Sequence, residues 1–258
     1  MFANERRDKI CKMLKTDGAV TTARLVKHFN VSLETVRRDL LQMEQENLLK
    51  RVHGGAVSIG EMKFFSELSH RNEENGELKK ELAFAATDFV NEKDIIGIDA
   101  GSTAIFFAEA LKERFSELIV VTYSKDVFDI LCKHENFNVI LCGGNFIKSE
   151  NAFWGPFVID MLSKLHMQKV FIFPTAVSLE NGICDYQCDI YSSQQQMIKS
   201  SDEIYILADS TKYEKKALLK LSDMKRDYCY VTDSQLPDEL KKLYEENDIQ
   251  IYVGGNLK

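Results

Sequence analysis

Proline is scarce, 3 among 258 residues, and neither an internal repeat nor a low-complexity tract appears. A chain of this length without such tracts is expected to fold as one small domain joined to one larger domain, each able to bury a core. No apolar run approaches the roughly 20 residues that cross a bilayer. The N-terminus is charged and helical in pattern rather than signal-like. The six cysteines, Cys11, Cys132, Cys142, Cys184, Cys188 and Cys229, are scattered, so reduced thiols in a cytoplasmic protein are the simpler reading. No membrane contact, cofactor or metal is expected. An overall excess of positive charge is lacking too: the formal total is −7, which argues against a protein coated with basic residues.

That charge is divided unevenly. Residues 1–57 hold 11 Lys and Arg against 7 Asp and Glu, net +4, so the remainder carries −11. In the basic segment, Glu5 to Leu14 places Ile10 and Leu14 on one helical face, with Arg6, Arg7, Lys9 and Lys12 largely elsewhere. Thr21 or Thr22 can cap a second helix that turns Leu25, Val26 and Phe29 inward. Ser32 can cap a third, running to about Asn47. At about 100° per residue, Leu33, Val36, Leu40 and Met43 share its inner face, while Arg38 falls nearly opposite, beside Thr35 and Gln42. Leu48 to Val52 then reads as a strand and His53-Gly54-Gly55 as a turn into Ala56-Val57, giving a two-stranded wing. The pattern fits a winged helix-turn-helix with its last helix in the major groove. A small bundle with a solvated charged face fits the spacing about as well.

The strings Ser32-Leu33-Glu34-Thr35-Val36-Arg37-Arg38-Asp39-Leu40 and Arg51-Val52-His53-Gly54-Gly55-Ala56-Val57 decide between these readings, because together they resemble the helix-turn-helix signature of the DeoR family of bacterial regulators. The resemblance implies that Ser32, Thr35, Arg37 and Arg38 lie at double-stranded operator DNA. It also implies that Arg51 and His53 sit in the wing, against phosphate or the minor groove. Asp39 is acidic and lies toward the buried side, so an ion pair within the head is expected of it. Palindromic operators mirror two-fold protein symmetry, so a homo-oligomer is expected.

Beyond a polar linker at 58–76, residues 77–258 alternate amphipathic helices with short apolar strands: Ile95–Ile98, Leu118–Val121, Val139–Leu141, Val170–Phe173, Ile204–Leu207, Tyr228–Val231 and Ile249–Val253. Such alternation predicts an α/β domain with a mostly parallel sheet, whose ligands settle at the C-terminal strand ends. There Asp99-Ala100-Gly101-Ser102-Thr103 leads into a helix, whose N-terminus offers N–H groups and a positive dipole end to a phosphate or carboxylate. Ordinary capping by Ser102 or Thr103 would explain the same residues. Thr122-Tyr123-Ser124, Gly143-Gly144 and Asp209-Ser210-Thr211-Lys212 end later strands, and all four motifs should converge along one sheet edge.

In this order the motifs are similar to the DeoR-family C-terminal domain, of sugar-phosphate isomerase type, which binds phosphorylated sugars or related metabolites. The resemblance implies that Asp99, Gly101, Ser102 and Thr103 form an anion-binding loop, that Ser124, Gly143 and Gly144 line the pocket, and that Lys212 is a cationic contact. It implies a repressor of a carbohydrate-metabolism operon relieved by a phosphorylated sugar or related metabolite, with a regulator that takes a non-phosphorylated effector as an alternative. The chain departs from the pattern where the family commonly has Ala-Asp-Gly-Ile: Pro174-Thr175-Ala176-Val177 stands there, and Gln194, Gln195 and Gln196 occupy the helix that usually carries an acid and a lysine. An isomerase-like enzyme is the first rival, but it needs positioned acid and base groups, and no second carboxylate is evident beside Asp99. A metal or redox sensor on Cys184 and Cys188, with His166 or Cys142, is the second. It lacks a second ligand pair, and Gly182 and Asp185 predict a loop there.

Overall fold

A computed structural model describes residues 3–17, 19–46, 48–52, 54–58 and 68–254. His53 and residues 59–67 of the expected linker lie outside them. The head begins with α1 (Ala3–Asp17), β1 (Ala19–Thr21), α2 (Thr22–Phe29) and α3 (Leu33–Gln45), followed by β2 (Leu49–Val52) and β3 (Gly55–Ser58). Thr21 caps α2 by accepting the Arg24 N–H at 3.0 Å, and Ser32 caps α3 by accepting that of Thr35 at 3.2 Å, each satisfying an N–H that the helix start leaves open. Asn30 ends α2 in the left-handed conformation that asparagine tolerates.

Three expectations for the head are corrected. The wing sheet has three strands in the order β1-β3-β2 rather than two. The added strand is held by Gly55, where a β-carbon would stand 2.1 Å from the Val20 carbonyl oxygen, so only glycine lets β3 lie against β1. Leu33 is 43% exposed instead of buried with Val36, Leu40 and Met43. It opens α3, and because helical side chains lean toward the N-terminus, it points past the end of the core. Arg6 is buried rather than outward, since it meets buried Asp39 across α1 and α3, with Nη2 donating to Oδ1 at 3.0 Å. The paired geometry offsets the cost of burying both charges.

In the larger unit, α4 (Leu68–Glu73) and α5 (Gly76–Ala86) lead into β4 (Ile95–Ile98), α6 (Ser102–Arg114), β5 (Leu118–Thr122), α7 (Lys125–Leu131) and β6 (Phe137–Leu141). A hairpin follows, β7 (Asn145–Ile147) and β8 (Ala152–Trp154), then α8 (Pro156–Ser163), β9 (Met167–Ile172), β10 (Ala176–Ser178), β11 (Gly182–Asp185) and α9 (Cys188–Lys199). The last elements are β12 (Ser201–Leu207), β13 (Leu219–Ser222), β14 (Cys229–Thr232), α10 (Asp238–Glu246) and β15 (Ile251–Val253). Seven strands form one parallel sheet in the order β15-β14-β12-β9-β4-β5-β6, and each contains or overlaps an expected strand. Apolar clusters cover both faces: Val170, Ile172 and Met197 belong to one, Phe107, Phe171 and Leu207 to the other, as a sheet with helices on both sides requires. The β7–β8 hairpin and the antiparallel sheet β10-β11-β13 were not expected. No described helix is long and apolar enough to cross a membrane.

Candidate functional site

Two concave surfaces collect the residues singled out above. On the head, a groove of about 550 Å³ lies between α3 and the wing, lined by Glu34, Arg37, Arg38, Leu41, Arg51 and Gly55 among others. Arg37 and Arg38 are exposed on α3, and Ser32 and Thr35 sit at its start, their hydroxyls 2.9 Å apart. Arg51 projects from β2, its Nε 3.8 Å from Glu44 Oε2, and Glu44 Oε1 accepts the Arg51 N–H at 2.7 Å. The wing turn is fastened to α2, because the Gly54 carbonyl accepts both the N–H and the hydroxyl of Thr22 at 2.7 and 3.0 Å.

On the larger unit, a cavity of about 490 Å³ opens at the C-terminal ends of the central strands. Gly101, Ser102 and Thr103 form one wall, at the start of α6. Gly101 is the cap residue itself, with φ 142° and ψ 171°, and it makes no side-chain capping bond. Neither Ser102 nor Thr103 caps the helix, since both lie inside its first turn. The Thr103 hydroxyl is buried without a hydrogen-bond partner. Facing this wall are four cations, Arg71, Lys79, Lys212 and Lys215, with Glu74 and Asp209 as the acids.

Lys79 is 3% exposed, and its ammonium donates to the carbonyls of Arg71 and Glu74. Burial, reinforced by repulsion from Lys212 and Arg71, lowers its pKa to about 8. Lys212 stands 3.8 Å from Asp209 Oδ2. Four cations, of which Lys79 is the buried one, beside a helix N-terminus make a surface suited to an anion.

Asp99 lies behind the loop, fully buried. Its Oδ1 accepts from Tyr123 and from the Ala100 N–H at 2.7 Å; its Oδ2 accepts from the Phe173 N–H at 3.2 Å and from Gln194 Nε2 at 3.0 Å. Gln194 donates equally to Asp185 Oδ2 at 3.0 Å, while the Thr175 hydroxyl donates to Asp185 Oδ1 at 2.8 Å. A second carboxylate is therefore present, on β11, which corrects the expectation of none. Burial raises Asp99 to about 7 against the pull of the Tyr123 and Gln194 hydrogen bonds, and Asp185 adds to the rise.

The remaining expected pocket residues stand apart from the cavity. Ser124 is buried as the cap of α7. Gly144 lets the chain pass Trp154, whose carbonyl oxygen would be 2.4 Å from a β-carbon there, while a β-carbon on Gly143 would meet nothing within 4 Å. Arg71, Asn75, Lys79 and Lys215 are cavity residues that the sequence reading missed. The cation run His70-Arg71 and the Asn75-Gly76 turn ahead of Lys79 were the available signals. Cys184 and Cys188 do not share a loop: one ends a strand region of β11 and the other opens α9. Burial raises both thiols, Cys188 to about 11.

A winged reading head joined to a parallel α/β domain with a cation-lined cavity is the build of a ligand-responsive DNA-binding regulator. The chain belongs to the DeoR family: residues 6–62 match the DeoR-like helix-turn-helix domain and residues 74–234 the DeoR C terminal sensor domain. It is similar to the L-fucose operon activator of Haemophilus influenzae, 31% identical over 246 residues that span 95% of this chain and 98% of that one. The lactose phosphotransferase system repressor of Staphylococcus aureus is 28% identical over 247 residues, 94% of this chain and 97% of the other. Among solved structures, ribose 5 phosphate isomerase A from Neisseria gonorrhoeae is 22% identical, covering 53% of each chain with a TM-score of 0.40.

Proposed function

We propose that this regulator is a cytoplasmic repressor of a carbohydrate operon, that it acts as a homo-oligomer, and that a phosphorylated sugar in the cavity lowers its affinity for operator DNA. The observation that carries the reading is the meeting of four cations with the open start of α6 in one cavity. Gly101, Ser102 and Thr103 hold the phosphate, Lys212 neutralises it, and Asp99 shapes the loop from behind. Ser124, Gly143 and Gly144 support the strand ends rather than touch the ligand. The relatives' printed names, an L-fucose operon activator and a lactose phosphotransferase system repressor, support a sugar-linked effector. Effector binding without turnover fits Asp99 and Asp185, both buried and both behind the residues that line the cavity, away from where an acid or base would meet a substrate carbon.

In this reading the head is residues 1–57 and the sensor residues 77–258, and the stretch 58–76 between them contributes Arg71, Glu74 and Asn75, which line the cavity. Ser32, Thr35, Arg37 and Arg38 meet base edges and nearby phosphates in the major groove, and Arg51 and His53 meet the backbone beside it. Arg38→Ala is expected to cost about 1–3 kcal/mol on operator and to flatten discrimination against random duplex. Arg51→Ala should weaken both duplexes alike and lower the salt slope. Fluorescence anisotropy across a salt series checks both; full discrimination in Arg38→Ala removes it from base reading.

The effector assignment is tested by Lys212→Ala. Titrating sugar phosphates and their unphosphorylated parents, with DNA binding as readout, should show the phosphorylated ligands weakened about tenfold or more and the parents little changed, since the lost contact is charge-assisted. Equal weakening of both would place the phosphate away from Lys212.

A further inference from the structure

Arg71 faces two ways. Its side chain lines the cavity, and its guanidinium also pairs with Glu150 in the loop between β7 and β8. The Glu150 side chain is 2% exposed, and burial raises its pKa against the pull of Arg71. Its other oxygen accepts from Gln187 Nε2 at 2.5 Å. Gln187 is the cap residue of α9, and the next residue, Cys188, sets its Sγ 3.4 Å from where a β-carbon on Gly54 would stand. Gly54 is the wing turn that Thr22 fastens to the start of α2. Beside Glu150, the Ser149 carbonyl accepts the Leu68 N–H at 3.2 Å, which anchors α4 and thus Arg71. A line of neighbouring groups therefore runs from the cavity to the DNA-binding head, its last step the approach of Cys188 Sγ to the wing turn.

The geometry points to Glu150 and Gln187 as positioning residues that carry occupancy of the cavity to the wing. The inference rests on the reading that the cavity takes an anion. An anion competes with Glu150 for the Arg71 guanidinium, the Glu150–Gln187 hydrogen bond is redrawn, and the start of α9 with Cys188 shifts from its seat against Gly54. A ligand changes an equilibrium only through differential affinity for the two states, and a shared guanidinium supplies that difference. No covalent step is involved.

Amide hydrogen exchange on the full chain, with inorganic phosphate as the probe, tests the relay in wild type, Gln187→Ala and Gln187→Glu. Phosphate should slow exchange in the first turn of α6 in all three proteins. In wild type it should also speed exchange in β2 and β3 about fivefold or more, the low end of usual coupling. In both variants the wing should change less than about twofold on phosphate addition, against that same range. Gln187→Glu should already exchange fast there, because its carboxylate faces Glu150. Exchange in β9 and β12 as slow as in wild type shows that the variants are folded. Slowed exchange at α6 with an unmoved wing in wild type overturns the relay alone, as does a wild-type wing response in the variants. No slowing at α6 in wild type overturns the anion reading and the relay with it.

Discussion

Replacing Gly101 by valine is expected to abolish the response of DNA binding to sugar phosphates, while affinity for DNA without effector stays within about twofold of wild type, because distant sites contribute nearly independently. The reason is backbone conformation rather than space. A β-carbon at Gly101 would lie 3.8 Å from that of Phe173, an ordinary contact, but the residue has φ 142°. An L side chain there costs on the order of 1–3 kcal/mol or more, and a β-branched one stands at the high end. To escape, the loop must turn, and the N–H groups at the start of α6 turn with it. Coupling between effector and DNA is usually about 1–3 kcal/mol, so strain of this size is enough to remove it. Anisotropy titrations with and without effector measure the response, and a melting curve confirms that the sheet is intact. An unchanged effector midpoint would mean that the anion is held elsewhere.

The parallel sheet was legible because its strands are buried on both faces. Each reads as a short apolar run between amphipathic stretches, and β4 was placed at its observed bounds, Ile95–Ile98. Strands β7, β8, β10, β11 and β13 were not legible. They are short, they lie outside the main sheet, and β7 is largely exposed, so neither alternation nor an apolar run marks them. On the head, the caps Thr21 and Ser32 could be read directly from side-chain chemistry. Burial of Arg6 could not, since it depends on a partner 33 positions away.

The site divides in the same way. Gly101, Ser102, Thr103 and Lys212 follow strands along one edge, so topology alone brings them to the cavity. Arg71, Asn75 and Lys79 come from a stretch whose polar composition reads as linker, and only tertiary structure turns it into a wall. Asp185 was missed because it lies far from Asp99 in sequence and the two are joined through Gln194, a residue read as the loss of a charge. The Thr175–Asp185 hydrogen bond sets a carboxylate beside the stretch 174–177, where the resemblance implies an acid.

Lys79→Met should lower affinity for a phosphorylated effector about 10- to 100-fold at pH 7, the loss of one buried charge-assisted contact, and should remove the pH dependence around pH 8. With Lys79 held near 8 by burial and by its neighbours Lys212 and Arg71, an arriving anion favours the ammonium and raises that pKa. Affinity in wild type is therefore greatest below pH 8, where the free protein already carries the charge, and falls above it as the ammonium is lost. Near pH 8 binding takes up a proton. Asp99, at about 7, titrates below this window, and Cys142 and Cys188, at about 11, titrate above it. Stability of the ligand-free protein has the opposite trend: between about 8 and the ordinary lysine value the unfolded chain holds more protons, so Lys79 makes stability rise with pH across that range. Calorimetric titrations in two buffers of different ionisation enthalpy, at pH 7, 8 and 9, measure proton uptake directly. Uptake near pH 8 in wild type and none in Lys79→Met is the expected result; equal uptake in both proteins would remove Lys79 from the anion's contacts.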